Sequence, residues 1–198
     1  MLVVTLKNMN RADDVVLDTK VKGIVPARQA RSEATFGALV DAGRKFLETK
    51  TFDEMTIGEV AKSAGASVSS FYARFKDKET YFAFIQERAM AEVEDDLVRF
   101  LDTLAVHPTE DRILVGKLAR FWVNIYRKNR GVYRASFKHA ATRHDVWAPF
   151  KRTGHKVALL VAEKLRQHFS ATHRDFSEKD LRVALQFANG MLINAAIN

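Results

Sequence analysis

The 198-residue sequence predicts an all-α protein, and three observations carry that reading. Apolar residues recur at three- and four-residue spacing along most of the chain. Alternation with period two is never sustained. Punctuation is sparse, with nine glycines and three prolines in all. The chain divides into a flexible arm over 1–25, a compact three-helix unit over 26–77 and a longer helical bundle over 78–198.

Residues 1–25 mix Val, Lys, Asp and Thr without periodicity as far as Pro26, which is the pattern of a flexible arm. From about Ala27 to Thr49, Phe36, Leu39, Val40, Ala42, Gly43, Phe46 and Leu47 make one apolar stripe. Thr56 with Glu59 three residues on forms a capping box and starts a second helix. Ile57, Val60, Ala61 and Ala64 give that helix an inner face, with Glu59, Lys62 and Ser63 outward. Gly65 falls where a left-handed residue ends it. Ser67 is placed to cap a third helix, anchored inward by Phe71 and Phe75. Its outer face carries Ser69, Ser70, Tyr72 and Arg74, with Lys76 and Lys78 at the exit, all able to donate to phosphate oxygens or base edges. Two short helices, a tight turn and a basic exit make a helix-turn-helix DNA-binding unit. The same geometry also serves as a structural corner in ordinary bundles, but turn, caps and exit together favour the reader.

Lys78 opens a long helical pattern through Tyr81, Phe82, Phe84, Ile85, Met90, Val93, Leu97, Phe100, Leu101 and Leu104, ending near Pro108 and bridging the two units. Amphipathic helices follow over about Thr109–Lys128, Arg130–Arg143 and Asp145–Phe169. The last begins at the capping signature Ser177-Glu-Lys-Asp180 and is apolar on nearly every side, through Leu181, Leu185, Phe187, Ala188, Met191, Leu192 and Ala195. Such a helix needs cover, and a second copy of the chain is the expected cover.

The residues GASVSSFYARFKDKE closely resemble the recognition-helix signature of the TetR family of bacterial transcriptional regulators, with a turn glycine, a Tyr, a Phe and a Lys at the family's spacings. The likeness extends upstream through Ala34–Leu47, Phe52 and Thr56 and covers about a quarter of the chain. Arg74 stands where many members have His and keeps a phosphate donor; Val68 stands where a polar residue is common, so a contact expected there lacks a donor. The resemblance implies a homodimer joined through its C-terminal helices, binding double-stranded operator DNA. It also implies a small-molecule effector held between the middle helices. On position in the motif, Thr56, Ser67, Ser69, Ser70, Tyr72, Arg74 and Lys78 are the expected DNA contacts. Arg28 and Arg31 are read either as contacts to flanking backbone and minor groove or as a solvated helix start.

Phe121, Trp122, Tyr126, Tyr133, Phe137, Trp147 and Phe150 enrich the second unit in aromatics, most of which serve as core. A pocket is expected near Phe121, Trp122, Tyr126, Phe137 and Trp147. Net charge is +8, yet residues 1–80 hold 13 basic against 11 acidic residues, so the DNA-binding argument rests on pattern rather than charge. The excess lies between Arg112 and Lys156, with 12 basic residues and one acidic, Asp145. A solvated face is the favoured account of it, and attraction for an anionic effector the sharper one.

With no cysteine, no disulfide, thiolate site or cysteine nucleophile is available. No run approaches a membrane span and the apolar start is too short for a signal peptide, so a cytoplasmic location is expected. His139, His144 and His155 lie on different helical faces, which argues against a metal, and no cofactor is expected. No nucleophile-base-acid set or phosphate-cradling glycine loop supports an enzyme. A sequence-tolerant architectural DNA-binding protein is the alternative, disfavoured by the near-neutral reader.

Overall fold

The computed structural model describes residues 21–25, 30–106, 110–141, 143–170 and 177–197. Among them are eight α-helices: α1 (Ala30–Thr49), α2 (Ile57–Ser63), α3 (Val68–Tyr72), α4 (Lys78–Val106), α5 (Asp111–Lys128), α6 (Arg130–Ala140), α7 (Ala148–Ser170) and α8 (Glu178–Ile197). A short 3-10 turn, His144–Trp147, leads into α7, so the pattern read as one helix from Asp145 is two elements.

Helices α1 to α3 close on an aromatic centre. Phe36, Phe71, Phe75, Tyr81 and Phe84 are all essentially inaccessible. Phe36 stacks on Phe75 at 5.2 Å, and Tyr81 meets Phe71 and Phe75 edge-on at 5.0 and 4.9 Å. Tyr81 and Phe84 belong to α4, so the reader's core is completed by the first turns of the connecting helix. The same apolar cluster continues to Val132, Tyr133 and Ala135 on α6. Packing therefore crosses the boundary drawn at residue 77. A second cluster, Leu97, Leu101, Leu114, Leu118, Val157, Val161 and Leu165, holds the far end of α4 against α5 and α7.

One expectation changes. Residues 21–25, assigned to a flexible arm, pack on the reader: Lys76 N–H donates to the Gly23 carbonyl at 3.1 Å and Val25 N–H to the Arg74 carbonyl at 2.9 Å, forming an isolated bridge between Ile24 and Phe75. Ile24 lies against the aromatic core, an apolar contact the arm's composition does not reveal. Helix α8 is not covered all round within one protomer. Leu185 and Leu192 pack inward, whereas Phe187 and Met191 are each 73% exposed. Its start matches the sequence, with Asp180 N–H donating to Ser177 Oγ at 3.2 Å and Ser177 Oγ donating to the Asp180 carboxylate at 2.7 Å.

Candidate DNA-binding surface and ligand cavity

The reader is assembled by local hydrogen bonds. Thr56 takes an extended conformation, accepts from Glu59 N–H at 3.3 Å and donates its hydroxyl proton to the Glu59 carboxylate at 2.8 Å. Lys50 at the end of α1 reaches the other Glu59 oxygen at 3.0 Å and ties α1 to the start of α2. These bonds, the Thr56 hydroxyl first and the Lys50 ammonium second, hold the Glu59 carboxyl below its ordinary value. Helix α2 ends in a Schellman motif: Gly65, at φ +62°, donates to the Lys62 carbonyl and Ala66 to the Ala61 carbonyl at 2.9 Å.

Ser67 then caps α3 by accepting from Ser70 N–H at 3.1 Å. The hydroxyls of Ser69 and Ser70 each lie 2.8 Å from the Ser67 hydroxyl, so the three serines form one hydroxyl cluster at the start of α3. Thr56, Ser67 and Ser69 are exposed, Ser70 is half-buried, and Tyr72 is 54% exposed. Val68, with no polar group to offer, is exposed beside them. Phe71 and Phe75 turn inward as read.

The two cations at the exit do more than the sequence suggests. Arg74 is partly buried and donates from Nη1 to the Val25 carbonyl at 3.2 Å, holding residues 21–25 against the reader. Lys78 points its ammonium into the α1–α2 connection, toward the carbonyls of Phe52 at 3.1 Å, Met55 at 3.2 Å and Asp53 at 3.5 Å. It also sits 4.4 Å from the centre of the Phe52 ring. Its donors are directed at carbonyls, where a phosphate contact was expected. Arg28 lies outside the described residues, as does the side chain of Arg31.

The second unit encloses a cavity of about 390 Å³ bounded by α4 to α8. Of the residues read as a pocket, Trp122, Tyr126 and Trp147 line it, together with Tyr133 and Phe150. Tyr126 stacks on Tyr133 at 4.4 Å and Trp147 on Phe150 at 4.5 Å. The Tyr126 hydroxyl donates to the side-chain carbonyl of Asn189, linking α5 to α8. Burial pushes the hydroxyls of Tyr126 and Tyr133 well above the usual phenol value, so both stay neutral. Phe121 and Phe137 are corrections: Phe121 stacks on Phe100 of α4 at 4.6 Å, and Phe137 is 48% exposed on the outside of α6. Leu185, Ala188 and Leu192, assigned to a subunit interface, line the cavity. The Leu181 side chain is not among those described, while Phe187, Met191 and Ala195 are exposed. Among the lining residues the sequence did not yield are Met90 and Val93 on α4, Lys151 and His155 on α7, and Arg182 and Asn189 on α8. Spacing of seven between Arg182 and Asn189 was the available signal.

Residues 39–83 match the family model described as bacterial regulatory proteins, tetR family. The likeness to that family lies in the reader, from within α1 through α2 and α3 to the first turns of α4. A 60-residue segment is 30% identical to the HTH-type transcriptional regulator YwcC of Bacillus subtilis (strain 168), itself uncharacterized; that match covers 30% of this chain. It spans about a quarter of the relative's length, 27%. Two solved structures share the fold over most of their length. A protein of Mesorhizobium loti MAFF303099 described as a TetR-family transcriptional regulator superposes with a TM-score of 0.65 at 19% identity, covering 85% of this chain and 86% of that one. GusR of Salmonella enterica does so with a TM-score of 0.63 at 16% identity, covering 87% and 86%.

In this chain the reader and the cavity share α6. Tyr133 lines the cavity, while Arg134 next to it donates to the carbonyls of Leu47 at 2.9 Å and Glu48 at 3.0 Å at the end of α1. Gly131 packs on the same turn, where an added Cβ would stand 2.5 Å from the Leu47 carbonyl oxygen. Arg44 on α1 donates to both Glu92 oxygens at 2.8 Å and to Asn129 at 3.0 Å, adding a bond to α4 and one to the α5–α6 corner. Among the described residues no group of His, Asp or Glu is arranged to hold a metal, and no helix is long and apolar enough to cross a membrane.

Proposed function

We propose that the chain is a homodimeric transcriptional repressor that leaves its operator when a small molecule fills the cavity. The observation that supports this most is α6, whose Tyr133 faces the cavity while Gly131 and Arg134 grip the end of α1. A ligand displacing Tyr133 displaces that grip, and with it the position of α2 and α3 relative to the bundle. In a dimer the two α3 helices enter successive major grooves about 34–36 Å apart, so a shift of a few ångströms removes one of the two contacts.

Dimerisation is assigned to the exposed faces of α7 and α8, carrying Leu159 and Leu160 on one and Val183, Phe187 and Met191 on the other. In the DNA complex Ser69, Ser70 and Tyr72 face the groove and backbone, Thr56 and Ser67 present the capped N-termini of α2 and α3, and Arg74 adds a phosphate contact. The test is a fluorescence-anisotropy titration against DNA from beside the chain's own gene, at several salt concentrations, with scrambled DNA as control. A preference of about three orders of magnitude for the adjacent DNA is expected. Equal binding to both would favour the architectural alternative.

A further inference from the structure

The distribution of charge along α7 singles out the cavity mouth. Arg152 pairs with Glu87, and Lys156 with Glu94 at 3.0 Å, so these two cations are matched to carboxylates of α4. Lys151 and His155, one turn apart on the neighbouring face, line the cavity. Arg182 joins them from α8, with Asn189 two turns further on. Lys151 and Arg182 form no ion pair with any carboxylate whose side chain is described, and among those side chains no Asp or Glu lines the cavity. Behind this mouth the walls are aromatic and aliphatic: Trp122, Tyr133, Trp147, Phe150, Met90 and Leu192.

We infer that the ligand of this cavity is a monoanion with an apolar body, a carboxylate whose head meets Lys151 and Arg182 and whose body lies among the aromatic rings. The inference rests on the proposed effector role of the cavity. Two cations beside a low-dielectric space attract an anion more strongly than they would in water, and nothing acidic in the lining opposes it. The apolar walls reject a polyanion along its length, because each further charge would be buried without a partner. A volume of about 390 Å³ lies in the range of small-molecule pockets. That fits a carboxylate of medium chain length or a single aryl-alkyl body.

The chain has two tryptophans, and both line this cavity, so intrinsic fluorescence reports its occupancy directly. Decanoate, decanol and decylamine are titrated into the full-length protein and into the double variant Lys151→Gln/Arg182→Gln, both positions being exposed and tolerant of glutamine. Decanoate is expected to bind about tenfold or more tighter than either of the others, and that advantage is expected to vanish in the variant while decanol binding is unchanged. Decanol binding as tightly as decanoate, or decylamine binding tightest, would overturn the anion inference while leaving an occupied cavity. Fluorescence unmoved by all three would overturn both the inference and the cavity reading. Repeating the DNA titration with saturating decanoate separates the two further, since binding without loss of DNA affinity upholds the ligand class and removes the effector role.

Discussion

Tyr72 and Lys78 were drawn from one sequence motif and do different work in the fold. Tyr72 is 54% exposed, and removing its hydroxyl disturbs no internal bond among those described. Tyr72→Phe is therefore expected to leave the unfolding free energy within about 0.5 kcal/mol of the parent while weakening DNA binding several-fold, read by urea unfolding beside anisotropy. Lys78 places its ammonium on the carbonyls of Phe52, Asp53 and Met55. Lys78→Met leaves those carbonyls without their donor, and a loss of about 1–3 kcal/mol of stability is expected. A stable Lys78→Met protein with impaired DNA binding would instead place the ammonium on phosphate. At Gly65 the backbone sits at φ +62°, with open space where a Cβ would go. Gly65→Ala thus costs only the left-handed strain, about 1 kcal/mol.

At the scale of elements, the start of α2 depends on an ionised side chain. The Glu59 carboxyl is held below its ordinary value, first by the Thr56 hydroxyl and then by Lys50. A depressed pKa means that this contribution is fully present above the unfolded-state value and is lost as pH falls through the lower folded-state value. Thermal unfolding between pH 6 and pH 3 is expected to show a smaller acid-induced drop in Tm for Glu59→Gln than for the parent. Glutamine keeps the reach of a capping box without the titration. The junction of α1 and α6 depends on shape. A Cβ at Gly131 meets the Leu47 carbonyl oxygen at 2.5 Å and its carbon at 2.6 Å, both backbone atoms that cannot rotate away. Gly131→Ala is expected to cost about 1–3 kcal/mol and to reduce the response of DNA binding to a cavity ligand, measured by unfolding and by anisotropy with and without it.

For the whole molecule, the exposed apolar faces of α7 and α8 are the surfaces to which association is assigned in the proposed dimer. Phe187 and Met191 are each 73% exposed, and Leu159 and Leu160 on α7 are 45% and 40% exposed. Placing a charge there by Phe187→Glu leaves the protomer core untouched but makes burial of that face costly. Sedimentation velocity is expected to show a dimer for the parent and a monomer for the variant, with operator affinity falling in parallel. A monomeric parent would remove the two-groove arrangement altogether.

The parts of this chain legible in its sequence are those set by neighbours a few residues apart. The capping boxes at Thr56 and Ser177, the turn at Gly65, the inward pair Phe71 and Phe75 and the all-helical pattern all rest on spacings of three to five residues, and all are found in the structure. What only the tertiary structure decided involves contacts between distant segments. Helical periodicity places Phe121 and Trp122 side by side without saying which turns toward α4 and which toward the cavity. It marks α8 as apolar without dividing Leu185 and Leu192, facing inward, from Phe187 and Met191, facing out. It shows a basic exit from α3, but not that Lys78 turns back onto carbonyls 23 to 26 residues earlier. Local hydrogen bonds and spacing fix which helices form; the face each one buries is fixed by the partners that arrive from elsewhere in the chain.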